Sequence, residues 1–284
     1  MINKIYLLFI SLFNMLRFFI LNRVSNRRIN NLDYKVIVSL TCFPARIDQV
    51  YYTIESLFFQ RSKVNYDIRL YLSNDEFKNN EIPNSLKRLK KRGLKIFFVD
   101  DNLKSYKKLV YAYGLENIPV ITVDDDIFYP SYWINTIYDG HQNKPCDIIY
   151  LRGREIIFNG DDLKLYHEYP QAKGFEESYL TIPTGVSGIL YPPNSLFDDW
   201  DNKDKFMTLA PSADDLWFKI MSLKKGTKCF LANNISIHFP PVLGTQSVSL
   251  RKLNVKNKLS PNDVQLRNLL KYYDLDFNNY REKQ

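Results

Sequence analysis

Between residues 35 and 123 the chain alternates between two hydrophobic periods, and that alternation restricts its fold more than any other feature. Four short apolar runs rich in β-branched and aromatic residues read as strands: 35–41, 66–73 (YDIRLYLS), 94–100 (LKIFFVD) and 119–123 (PVITV). Helical patterns separate them. Ile47 to Gln60 places Val50, Ile54, Leu57 and Phe58 on one face, Ser85 to Lys91 is a basic helix, and Ser105 to Tyr113 a short one. Strands joined this way need right-handed crossovers, which predicts an α/β fold with a mostly parallel sheet covered on both faces by helices. Ligands of such sheets bind beyond the carboxyl ends of the strands.

The last of these strands ends in VDDDIFYP. Asp124, Asp125 and Asp126 therefore stand where the chain leaves the core. Two carboxylates ~4 Å apart repel by roughly 4 kcal/mol at an effective dielectric of about 20, so the trio calls for solvent, protons or a cation. In an extended strand Asp124 and Asp126 would share a face, and Asp125 would point away unless the backbone turns.

Beyond this point a helix contains Trp133 and CDIIYLRGR (146–154) reads as one strand, followed by an irregular aromatic stretch to about residue 182. TGVSGILYPP (184–193) is a glycine-punctuated loop entering a strand, 210–226 a helix stopped by Gly226, and 227–241 a strand pair or a strand and bend. The expected organisation is a segment 1–32, a first half 33–145, and a second half 146–284 with C-terminal helices.

The 284 residues are 45% apolar and 15% aromatic, ample for a core. Cys42, Cys146 and Cys229 are odd in number and widely spaced, without a CxxC or Cys/His cluster, which argues against a disulfide framework or zinc site and for a reducing compartment. The formal charge is +8, but Lys4, Arg17, Arg23, Arg27 and Arg28 fall in residues 1–32 with no acid beside them. The remainder is mildly basic and has no zinc finger, RNA-recognition signature or sustained Arg-rich helix, so a nucleic-acid partner is not expected. The basic N-terminus points instead to anionic lipid.

Residues 5–21 (IYLLFISLFNMLRFFIL) form an apolar segment interrupted by Asn14 and Arg17, somewhat short of the ~20 residues that span hydrocarbon. Three readings are open: an interfacial helix, which is the one favoured, a membrane anchor, or a helix packed on protein. A weak n-region and the lack of a small-x-small site argue against a signal peptide. The expected location is cytoplasmic, peripheral or N-terminally anchored at the inner face of the cell membrane.

VSLTCFPARI after the first strand, the VDDDI terminus, TGVSGILYPP, ADDLWFK and the late His238 resemble, as an ordered set over about Tyr34 to Pro240, nucleotide-sugar glycosyltransferases of the GT-A fold, in particular bacterial ones that assemble surface polysaccharides. The resemblance implies a GT-A-like, Rossmann-type sheet with a nucleotide-sugar-binding first half and an acceptor-binding second half. It implies Mn²⁺ or Mg²⁺ at a DxD motif, with Asp126 as direct metal ligand, Asp124 shared between metal and donor, Asp125 at the donor, and His238 completing the metal site. Hard oxygen donors suit either ion, and imidazole suits manganese. The nucleotide would meet Thr41, Phe43, Pro44 and Arg46 after the first strand and Asp75 or Glu76 after the second, while Lys107 and Lys108 balance the diphosphate. Asp215, or Asp214, would be the base of an inverting transfer, although ADDLW departs from the common Glu-Asp pattern and allows two alignments. Gly185 and Gly188 would let the backbone approach the donor sugar or acceptor, with Trp217 and Tyr191 as stacking candidates.

The implied activity is hexosyl-type transfer from a nucleotide diphosphate donor, a UDP-sugar by family default, to a hydroxyl of a growing glycan or lipid-linked saccharide. Two alternatives stand beside it. A nucleotidyltransferase acting on a sugar phosphate also uses aspartate-held metal, but would carry a Gly-rich loop where SLTCFPAR has none. A non-catalytic sugar-binding protein could retain the same scaffold. A dehydrogenase is disfavoured because no GxGxxG occurs.

Overall fold

The apolar runs become strands close to where their composition places them. In the computed structural model, which describes residues 2–30, 32–245 and 260–283, the chain forms two units. The first runs to Thr136 and regains the chain at His238; the second holds Ile137–Ile237 and the C-terminal helix. The division falls earlier than the 145/146 boundary expected from sequence.

The first unit contains α1 (Ile2–Val24), β1 (Val36–Thr41), α2 (Val50–Phe58), β2 (Tyr66–Ser73), α3 (Asn84–Lys91), β3 (Lys95–Val99), α4 (Lys107–Val110) and β4 (Val120–Thr122). Its strands lie in the order β3-β2-β1-β4 and every pairing is parallel, with Val36 opposite Tyr66, Arg69 opposite Lys95 and Ile37 opposite Val120. β2 is buried along its whole length and β1 up to its last residue, as the β-branched runs require when both faces are covered. From β1 the chain steps outward to β2 and β3, then crosses back to place β4 on the other side of β1. The strand order therefore reverses between β1 and β4, the position at which α/β sheets open a crevice for ligands.

α5 (Trp133–Asn143) leads into the second unit. There CDIIYLRGR is not one strand. It breaks into β5 (Ile148–Tyr150) and β6 (Gly153–Glu155), which belong to different sheets. The break is sharp because Gly153 lies against its own neighbours: a Cβ there would sit 2.6 Å from the Tyr150 ring and 2.9 Å from the Ile182 carbonyl.

The aromatic stretch supplies a small hairpin, β7 (Phe158–Asn159) and β8 (Asp162–Leu163), then β9 (Glu177–Ser178) and β10 (Thr181–Pro183), which pairs with β6. β11 (Ile189–Tyr191), α6 (Lys203–Leu209), α7 (Asp214–Lys225), β12 (Cys229–Leu231) and α8 (Pro261–Tyr273) complete the unit. β12 is parallel to β5, and β11 and β9 are antiparallel to their neighbours, so the mostly parallel arrangement takes in two antiparallel strands in this unit.

The helix ends follow local chemistry. Gly226 adopts φ +79° and stops α7, as its sequence position suggests. Ser260 and Asp263 form a reciprocal capping box on α8.

Candidate active site

The loop after β1 and the turn after β4 meet at the switch point. Pro44 opens a single 3₁₀ turn, Pro44–Arg46, which carries the Arg46 side chain inward until it is only 8% exposed. Pairing of β4 with β1 persists one residue past the strand, Val123 N–H donating to Ser39 O (3.0 Å), and then the backbone turns. The Asp124 amide donates to the Tyr129 hydroxyl (3.1 Å), Thr53 Oγ1 donates to the Asp125 carbonyl (3.0 Å), and the Asp126 carbonyl accepts from Val242 N–H (2.7 Å).

This turn changes which carboxylates act together. Instead of Asp124 and Asp126 sharing a strand face, Asp125 Oδ1 and Asp126 Oδ2 both engage Arg46 Nη1, at 2.6 and 3.1 Å, while Asp124 Oδ1 takes Lys108 Nζ at 3.1 Å. Arg46 Nη2 also donates to the Thr245 carbonyl (3.2 Å). The positive charge that the acidic trio called for is thus supplied in part by the chain itself. Burial holds the Asp125 carboxyl above its usual range, with Arg46 pulling it down. Burial works against the Arg46 charge, and Asp125 and Asp126 more than restore it. The neighbouring Cys42 thiol is pushed well up by burial and by Asp125.

Other predicted residues of this unit lie nearby in sequence but have their own partners. Thr41 Oγ1 donates to the Tyr71 carbonyl (2.8 Å). Lys107 is buried against Glu76 (3.0 Å) and Asn102 (3.2 Å), so Glu76 rather than the exposed Asp75 is tied to Lys107. His238 is exposed on the segment that returns antiparallel to 126–128: Ile127 faces Pro241 and Phe128 N–H donates to Pro240 O (2.9 Å). In that register Val242 stands beside Asp126, and His238 falls further along, opposite Pro130.

Among the described residues no three His, Cys, Asp or Glu side chains are grouped as a cation cage, so Asp124, Asp126 and His238 do not form one. A magnesium-type ion does not need such a cage, because it is commonly held by one or two carboxylates with phosphate oxygens and water filling the octahedron. Asp124 and Asp126 offer the hard carboxylate oxygens such a mode uses, and each meets a cation of the chain, Lys108 and Arg46 respectively.

The second unit gathers another group. Neither Asp214 nor Asp215 is the N-cap of α7, a position held by Ala213; both stand in its first turn. The Asp215 carboxylate accepts from the Gly185 amide through both oxygens, at 3.2 and 3.3 Å, joining two features that sequence reasoning had nominated separately. Gly185 opens a 3₁₀ turn, and Gly188 closes it at φ +96°, a conformation that favours glycine. Trp217 and Tyr191 are core residues and offer no face to a sugar: Trp217 is fully buried and donates to the Trp200 carbonyl (2.9 Å), and Tyr191 packs edge-on against Phe218.

Three residues of this cluster were missed. Tyr166 has its hydroxyl pushed up to about 12 by burial and by Asp215, against the pull of Arg154 and Arg152, with Asp214 adding a smaller push. The Arg154 guanidinium stands 5.4 Å from the Tyr166 ring centre and donates to the Tyr169 carbonyl (2.6 Å), while Arg152 donates to Thr184 Oγ1 (3.3 Å). The only sequence signal was the doubled arginine of LRGR, read there as the end of a strand.

The arrangement defines an α/β protein whose parallel unit carries an arginine-held acidic turn at its switch point. No protein-family model matches the chain, and no curated protein matches it. Among solved structures it is similar to the crystal structure of S. aureus TarS 1-349, with 11% identity and a TM-score of 0.45, covering 86% of this chain and 73% of that one. A likeness at that level leaves the functional assignment to the residues themselves.

Proposed function

We propose that the protein is a nucleotide-sugar glycosyltransferase that extends a bacterial surface glycan. The observation that carries this reading is the charged turn at the switch point, where Asp124, Asp125 and Asp126 sit with Arg46 and Lys108 at the carboxyl ends of β1 and β4. Two parts of the residue pattern that resembles GT-A enzymes, VSLTCFPARI and VDDDI, meet at this turn.

Asp124 and Asp126 are the residues that would hold a divalent cation, which when bound supplies neutralisation of the charge that develops on the departing diphosphate. Arg46 fixes the orientation of Asp125 and Asp126. Lys108 holds Asp124 and adds positive charge on the diphosphate side. Asp215 is assigned as the base: as the acceptor oxygen bonds to the sugar carbon and the carbon–diphosphate bond breaks, the hydroxyl proton passes to its carboxylate. The Gly185 amide, donating to both of its oxygens, fixes the orientation of that carboxylate.

The test is thermal stabilisation of the full chain by UDP-, GDP- and other nucleotide sugars with and without Mn²⁺, followed by donor turnover. A ligand at about 100 times its Kd should add about 2.7 kcal/mol of stability. One donor is expected to do so only with the metal, and Asp126→Asn should remove the metal dependence. Stabilisation by no nucleotide sugar, or by one that D124A/D126A leaves unchanged, would refute the assignment. Asp215→Asn should leave donor binding intact and lower transfer by at least 10²-fold.

A further inference from the structure

α1 turns a row of apolar side chains outward, with Phe9 and Phe13 each 66% exposed and Leu8, Leu12 and Leu16 beside them. The face turned to the unit carries Ser11, Asn14 and Asn22 among its residues, Ser11 being fully buried. A water-facing helix on a folded unit turns polar side chains outward instead.

The inner face is held at the helix's C-terminal half. Phe18 forms a buried cluster with Phe128 and Val242, against which Met15, Leu21, Tyr52 and Phe59 pack. Asn22 Nδ2 donates to Glu55 Oε1 (2.9 Å) and to the Ser85 carbonyl (3.2 Å), and Arg88 Nε donates to Asn22 Oδ1 (2.9 Å). Glu55 is itself clamped by Arg92 through two contacts, 2.6 and 3.0 Å. A helix so attached along one face cannot leave the unit to cross a bilayer without exposing this network to hydrocarbon, at several kcal/mol for each unsatisfied polar group.

α3 lies alongside. Ser85 and Arg88 meet α1, Leu86 and Leu89 point into the core, and helical spacing puts Lys87 and Lys91, both exposed, on the flank away from the core. Arg23 and Arg28 are exposed as well.

We propose that α1 and the basic flank of α3 form one membrane-docking face: α1 lies in the plane of an anionic bilayer, its outward row embedded, while Lys87, Lys91 and Arg23 meet the headgroups. The occupant is anionic lipid because the exposed cations Arg23, Arg28, Lys87 and Lys91 accompany the apolar row, a combination that complements a negative lipid surface. The inference does not depend on the chemistry of the switch-point site.

The test uses the full chain with vesicles of phosphatidylcholine alone or with about 30% phosphatidylglycerol. Binding should require the anionic lipid and fall with salt. Lys87→Ala and Lys91→Ala should each weaken it about fivefold, the ~1 kcal/mol expected per basic residue near such a surface. Phe9→Ser/Phe13→Ser should abolish it with the circular dichroism spectrum retained.

For orientation, environment-sensitive probes at Leu8→Cys and Ile20→Cys, in a Cys146→Ser background, should report equal depth. A spanning helix would separate them by about 18 Å along the normal. Equal binding to neutral and anionic vesicles, unequal probe depth, or a stable dimer that shields α1 and ignores vesicles would each overturn the proposal.

Discussion

Replacing Arg46 with methionine tests the electrostatics of the switch point directly. Its guanidinium lies 2.6 Å from Asp125 and 3.1 Å from Asp126, and all three side chains are 10% exposed or less. At an effective dielectric of about 20 these contacts are worth roughly 6 and 5 kcal/mol of attraction, largely offset by several kcal/mol of desolvation per ion. The net value of the intact cluster is therefore modest, but removing the cation strands two carboxylates, which costs about 3–5 kcal/mol.

The loss should depend on pH with a definite sign. Burial already raises the Asp125 carboxyl, and without Arg46 it rises further. The folded variant then binds more protons than its unfolded chain between the ordinary carboxylate range and the raised value. Its stability should accordingly fall as pH rises through that window and recover on acidification. Urea titrations of wild type, R46M, D125N and R46M/D125N from pH 5 to 8 give the double-mutant cycle. The double variant should lose less than the sum of the singles. A cost for R46M below about 1 kcal/mol at neutral pH, the value of an exposed pair, would refute the reasoning.

Other consequences are simpler to check. Burial lowers the His141 pKa below 6.5, so its neutral form is favoured in the fold and stability should drop as pH falls below 6.5; His141→Gln should flatten that part of the melting-temperature profile, and an unchanged slope would contradict it. Burial also raises the Cys42 and Cys229 thiols, whereas Cys146 is exposed, so an aromatic disulfide reagent at pH 8 should titrate one thiol in the native protein and three in denaturant. Gly153→Ala should destabilise the second unit by about 1–3 kcal/mol, because the new methyl meets the Tyr150 ring and the Ile182 carbonyl; a neutral effect in thermal unfolding would show that the backbone yields.

The parts of the fold that were legible are those where local periodicity and burial agree. YDIRLYLS is a strand over the residues its composition marks, and TGVSGILYPP is a loop entering a strand. CDIIYLRGR failed because its apolar run continues through a break that depends on how closely Gly153 approaches Tyr150 and Ile182, a tertiary fact.

In the site, the need for a cation near Asp124, Asp125 and Asp126 followed from Coulomb repulsion alone, but its source did not: Arg46 lies 79 positions from Asp125 in the chain. Strand alternation would set Asp124 and Asp126 on one face; the backbone turns there instead, its peptide groups held by Thr53 and Val242, and Asp125 joins Asp126 on Arg46. The Tyr166, Arg152 and Arg154 group left no periodic signal, because its members come from a strand end and a 3₁₀ turn whose contacts are long-range.

The segment that returns from His238 has a consequence for biosynthesis. Phe239, Val242 and Thr245 pack on or hydrogen-bond to Tyr129, Asp126 and Arg46, so the first unit lacks these partners until the ribosome has made about 100 further residues. At 5–20 residues per second that is a wait of about 5–20 s. During that interval the nascent acidic turn has Arg46 but not the peptide groups that seat it, and a gene fragment cut near residue 136 would reproduce that unfinished state permanently.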